Sequence, residues 1–157
     1  MKTHQDQQLT KHFSLREMTI SGTAIRYGWD NTPMNFEIEN LRQLCINVLE
    51  PLRMRFGVIR ITSGFRCKAV NDAVGGARDS QHMFGQAADI FVPNMEVGKK
   101  MYDFIRQNIP FDQMILEVDK DRGRYWIHIS YVSEKPNRRH AWMNYIMHHN
   151  IRKKTSA

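Results

Sequence analysis

Apolar positions recur every three or four residues from about Asn35 to Arg55, where Leu41, Leu44, Cys45, Val48, Leu49 and Leu52 fall on one face. That period predicts an amphipathic helix. Pro51 is expected to kink it or to close its last turn, because proline lacks an N–H and crowds the turn before it. Elsewhere the period is two. Val58–Ser63, Gln113–Val118 and Tyr125–Val132 alternate and read as strands, and the apolar run Ala87–Val92, ended by Pro93, reads as another. The turn Asp119–Arg124 joins two of them as a hairpin. Asn94 is placed to cap a helix over 95–107 with Val97, Met101, Phe104 and Ile105 inward. Shorter helical signals lie at Phe13–Met18, with Ser14 as N-cap, and at Cys67–Val74, stopped by Gly75-Gly76. One more helix is expected around Ala141–His148, and Ser21–Pro33 reads as a loop. The order predicts an α+β fold, a mostly antiparallel sheet with flanking helices. Residues 1–12 are expected to be a flexible N-terminus, 13–135 the folded domain and 136–157 a basic extension.

Composition agrees with a single globular unit: 157 residues, 41% hydrophobic and 25% charged. No apolar run approaches the roughly 18 residues of a membrane span. The first residues, Met1 to Gln8, lack the apolar stretch of a secretory leader, so the product is expected to be made in the cytoplasm. Cys45 and Cys67 form no spaced framework, and Cys45 falls on the apolar helix face as a free thiol. A net charge of +7 suits a polyanionic partner: nucleic acid, a membrane surface or an anionic cell-wall polymer. Basic and aromatic residues are not interleaved, so a specific nucleic-acid platform is not expected.

Candidate chemistry concentrates in Ser80-Gln81-His82-Met83-Phe84-Gly85-Gln86-Ala87-Ala88-Asp89. A loop histidine precedes, by seven residues, a carboxylate at the start of a strand, and His128 lies mid-strand in Trp126-Ile127-His128. Two imidazoles and a carboxylate suit zinc in an open site, with a fourth position left for water. On spacing alone the bland alternative also stands: a strand histidine as a satisfied polar group, and an aspartate accepting backbone hydrogen bonds.

Taken together, Ser63-Gly64-Phe65-Arg66, Val70 to Gly76, Ser80-Gln81-His82, Gly85 to Ile90 and Trp126-Ile127-His128 resemble the zinc D-alanyl-D-alanine carboxypeptidase family, over about residues 13–135. The resemblance implies the hedgehog/DD-peptidase fold, one zinc per chain held by His82, Asp89 and His128, and action on bacterial peptidoglycan. It also implies that Arg66 steadies substrate or polarises its carbonyl, and that Ser80 lies near the substrate carboxylate. The bond cleaved, D-Ala-D-Ala or an internal L-Ala-D-Glu type, stays open. A monomeric phage or prophage lysis enzyme, released through a holin, is the setting it implies.

One position departs from the family pattern. Several members carry an acid three residues before the last histidine, where this chain has Tyr125, which does not replace a carboxylate at neutral pH. The substitute is Glu117. If Val118 pairs with Tyr125, Glu117 lies opposite Trp126 and shares a sheet face with His128. Asp112 and Asp119 are the other acids near the ends of that strand. Without a base the same fold would be a non-catalytic zinc-binding interaction module, which is the alternative reading.

Overall fold

The computed structural model describes residues 7–148. Helices α1 (Leu15–Thr19), α2 (Gly22–Tyr27) and α3 (Asn35–Leu44) precede a π turn at Cys45–Leu49 and helix α4 (Glu50–Phe56). Strand β1 (Ile61–Ser63), helix α5 (Lys68–Ala73) and a 3₁₀ turn at Gln81–Phe84 follow. The rest comprises β2 (Ala87–Val92), α6 (Met95–Asn108), β3 (Gln113–Asp119), β4 (Arg124–Ser130) and β5 (His140–Tyr145). The strands form one sheet in the order β1-β2-β4-β3-β5, antiparallel except for β3 beside β5. The α+β fold expected from the pattern is the one found. No helix among the described residues is long and apolar enough to cross a membrane.

Period-two alternation divides the sheet into two faces. Ile90, Val92, Met114, Leu116, Ile127 and Ile129 are buried against the helices. The intervening residues of β2, β3 and β4 point to the other face. Asn94 caps α6 through Val97 N–H, as expected, and Met101 and Ile105 of that helix are buried.

Four elements differ from expectation, each for a physical reason. The long helix does run from Asn35 to Phe56, but Pro51 neither ends it nor sits at its last turn. Having no N–H to give, Pro51 stands in the first turn of α4, and the turn before it widens so that Glu50 N–H reaches back to Cys45 O. Inside the expected loop lies α2, capped by the Ser21 hydroxyl at one end and by left-handed Gly28 (φ 66°) at the other. Segment 141–145 is a strand, not a helix: Ala141 and Met143 alternate inward and pack on the core, and the strand covers the edge of β3. It therefore joins part of the expected 136–157 extension to the sheet. Finally, residues 7–12 are tied down. Leu9 is buried, Gln8 bridges Ser14, and the Glu50 carboxylate accepts from Thr10 and His12. Residues 1–6 and 149–157 lie outside the described residues.

Candidate metal centre

The antiparallel register assembles the centre. Asp89 of β2 pairs with His128 of β4, and in turn His128 pairs with Ile115 of β3. Asp89 and His128 thus stand side by side on the face away from the helices. The third group, His82, comes from the 3₁₀ turn, which Ser80 caps by accepting from His82 N–H at 3.3 Å. Left-handed Gly85 (φ 71°) ends that turn, where a Cβ would run into the carbonyl of Glu37.

These three side chains can offer one ligand atom each, all within 4.8 Å of one another. Asp89 Oδ1 lies 3.2 Å from His82 Nε2 and 3.0 Å from His128 Nδ1. On its far side, His82 Nδ1 is 2.7 Å from the carbonyl of Gly64, which only accepts, so Nδ1 carries the hydrogen. Its other nitrogen, Nε2, is turned toward a carboxylate oxygen. In the neutral tautomer that nitrogen and the carboxylate are two ligand donors placed for one cation. A metal ion supplies one, and an imidazole oriented by a backbone carbonyl is the usual support for a metal-ligating histidine. Two nitrogens and one carboxylate, with a fourth side open to a cleft, are the donors that suit zinc.

Around this cluster the remaining groups are also held. Burial pushes the Asp89 carboxyl up, but its contacts with His128 and His82 outweigh it and keep Asp89 well below the usual carboxylate range. Its other oxygen, Oδ2, accepts from Arg66 Nη2 at 3.0 Å. The remaining Arg66 nitrogens donate to Ser63 Oγ (2.9 Å) and to Asn71 Oδ1 (3.4 Å). Arg66 thus lines the cleft, yet each of its nitrogens already serves a protein acceptor. Asn71, fully buried, also donates to Ala77 O and so ties Arg66 to the 75–77 loop. The sequence pattern gave Asn71 no role, since its partners are fixed only by the folded loop.

The cluster opens into a cleft of about 1290 Å³ whose lining includes Ser80, Arg66, Trp126 and Glu117. Val118 pairs with Tyr125, which sets Glu117 opposite Trp126, the register anticipated from the turn. Alternation sends Tyr125 toward the core face with Ile127, where it packs on the core. An acid there would point away from His128. Glu117 Oε2 accepts from Asn144 Nδ2 at 2.7 Å, a partner on β5. Burial raises the Glu117 pKa above the usual carboxylate value, the Asn144 hydrogen bond opposing it.

The other two candidate acids are engaged elsewhere. Asp112 accepts from Arg138 Nη2 (2.7 Å), from Arg138 N–H (2.9 Å) and from Gln81 Nε2 (2.9 Å). The Arg138 contact holds its pKa down to about 2. Asp119 pairs with Arg124 and His148 and is not in the cleft lining. Asp79 and Glu134 also line the cleft, two carboxylates that carry no motif in the sequence. Phe84 is 44% exposed and forms part of the cleft wall.

Residues 11–130 match the family model described as peptidase M15. No curated protein matches the chain.

Proposed function

The chain belongs to the peptidase M15 family, and from that premise we propose that it is a zinc-dependent peptidase that hydrolyses the stem peptides of bacterial peptidoglycan. The observation that carries this reading is the meeting of His82 Nε2, Asp89 Oδ1 and His128 Nδ1 on the floor of an open cleft, with His82 Nδ1 held by the carbonyl of Gly64. His82, Asp89 and His128 hold one zinc per chain. Zinc, when bound there, supplies a Lewis acid that makes water a nucleophile near neutral pH. The protein's own groups do the rest. Glu117, its Oε2 fixed by Asn144, takes a proton from water and returns it to the leaving nitrogen as the C–O bond forms and the C–N bond breaks. A carboxyl raised by burial above its ordinary value favours the return of that proton. Arg66 holds Asp89 Oδ2 in place and turns its remaining N–H groups toward the substrate carbonyl. Ser80 spends its oxygen on the 3₁₀ turn, so its hydroxyl hydrogen is left to donate to a substrate oxygen. All these residues come from one chain, so a monomer suffices. The charge of +7 suits an anionic wall, and a phage or prophage lysis enzyme is the setting we assign.

The test is Glu117→Gln beside wild type, assayed on purified sacculi. Both proteins should carry about one zinc by elemental analysis, since Glu117 is not a ligand. Hydrolysis by the variant should be slower by roughly 10²–10⁴-fold, and chelation should abolish it in wild type. Full hydrolysis by Glu117→Gln removes it as the base. Zinc-loaded wild type that cleaves no sacculus makes the chain a binding module instead.

A further inference from the structure

We infer that the cleft accommodates peptide on both sides of the metal centre, so that the enzyme is an endopeptidase acting on internal bonds rather than a carboxypeptidase trimming a terminal residue. This rests on the zinc peptidase reading and adds to it which bonds are accessible.

The floor of the cleft is the open face of β2, β4 and β3, and the register orders it into rows. Asp89, His128 and Ile115 form the metal row. Two residues along β4 on one side, Phe91, Trp126 and Glu117 form a row, and two residues on the other side stand Ala87 and Ser130, with Gln113 donating to Ser130 Oγ. The cleft lining continues past both, to Arg124 in one direction and to Val132 in the other. Arg124 lies four residues along β4 from His128, roughly 13 Å at strand rise, and Val132 stands two residues past the end of β4. That is room for about three extended residues on the Trp126 side of the metal row and about two on the Ser130 side.

A carboxypeptidase has a different requirement. The free carboxylate of the residue it removes lies only one residue beyond the scissile bond, roughly 4 Å. A cation must meet it there, and the site need extend no further. Neither flanking row contains a lysine or arginine: they offer Phe91, Trp126 and Glu117 on one side, Ala87, Ser130 and Gln113 on the other. Arg66, beside the metal row, gives one N–H each to Asp89, Ser63 and Asn71, and the two that remain are taken by the carbonyl of the scissile bond. Arg60 stacks over the Phe91 ring at 5.3 Å but is not in the cleft lining. The lining cations stand farther off. Arg124 marks one end of the cleft, Lys135 follows Val132 beyond the other, and Arg138 is pinned by buried Asp112, which precedes β3 three residues before Ile115, or roughly 10 Å at strand rise. The apolar surface exposed in the lining, Phe91 in the Trp126 row and Phe84 in the turn that leads into β2, each 44% exposed, suits side chains of a continuing peptide better than a carboxylate.

The experiment begins with mass spectrometry of sacculi digested by the zinc-loaded protein, to map the bond cleaved. Synthetic stem peptides then span that bond with one, two or three residues on each side, their C-termini free or amidated. The expected result is an internal bond. The expected kcat/KM rises about tenfold or more when one residue per side becomes three, since remote contacts are used to orient the reacting bond. Amidation should change it less than about threefold, as no carboxylate is held beside the bond. In Phe91→Ala the gain from extension on one side should shrink several-fold. Release of a single C-terminal residue, lost on amidation, would overturn the inference while leaving the peptidase reading intact. So would an extension gain unchanged in Phe91→Ala. Zinc-loaded protein that cleaves neither sacculi nor any peptide would overturn the peptidase reading itself, and the inference with it.

Discussion

At the scale of single residues, the centre depends on which hydrogen-bonding capacity is already spent. His82 gives its Nδ1 hydrogen to Gly64 O, and Gly64 is glycine because a Cβ there would strike the Met18 carbonyl. Asp89 divides its oxygens, Oδ1 toward the two histidines and Oδ2 toward Arg66. Arg66→Lys should expose this division. Lysine keeps the charge but replaces three directed nitrogens with one, so Asp89 loses its directed partner and Ser63 and Asn71 lose theirs. Zinc affinity, measured by competition with a chelator, should fall roughly 10–100-fold, and turnover should fall with it. Unchanged affinity and turnover would show that Arg66 does not orient Asp89. The histidines and Asp89 were legible in the sequence because strand register and a short spacing bring them together. Asn71 and Asn144 were not, because what they hold, Arg66 and Glu117, lies across loop and strand contacts that no local pattern encodes.

At the scale of elements, the sheet was readable wherever alternation ran between clear turns. The β3–β4 pairing followed from placing Val118 against Tyr125, and that one register sets Glu117 on the metal face. A short aromatic strand was harder to read. In His140 to Tyr145 the core-facing residues are only Ala141 and Met143, and the strand forms because β3 has an open edge, a tertiary cause. The start of the chain repeats this point. Glu50, at the first turn of α4, accepts from Thr10 Oγ1 (2.7 Å), His12 N–H (2.8 Å) and His12 Nδ1 (2.7 Å), which fastens residues 10–12 to the helix. Burial raises the Glu50 pKa, but these hydrogen bonds outweigh it and leave the value below the usual 4.5. A depressed carboxyl stabilises the fold above its unfolded value, and that contribution is lost as pH falls through the folded value. Glu50→Gln should therefore cost about 1–2 kcal/mol at pH 7 by urea denaturation, the scale of hydrogen bonds to a charged acceptor. The difference from wild type should vanish at strongly acid pH. An equal difference at both pH values would assign it to packing rather than to the carboxylate.

For the whole molecule, the two faces of one sheet divide the work. Helices pack on one face and supply the core, leaving the other as a floor on which strand register alone sets the spacing of chemical groups. Binding to a polymer adds a property that neither face contains, the net charge of +7. Within the cleft, acids such as Asp79, Glu117 and Glu134 stand among the cations Arg124, Lys135 and Arg138, so the excess is not a feature of the cleft. Charge outside the cleft acts over about a Debye length, close to 10 Å at 0.1 M salt. Recognition of an anionic wall by that charge should be screened, whereas hydrolysis in the cleft should not. Raising sodium chloride from about 50 to about 300 mM should weaken co-sedimentation with purified sacculi about tenfold. Over the same range, kcat for a short soluble peptide spanning the cleaved bond should change by less than about twofold, since its contacts lie within the cleft. Sedimentation that ignores salt would move recognition from the charged exterior to the cleft. The expected asymmetry, strong screening of binding with turnover intact, separates the surface that finds the polymer from the face that cuts it.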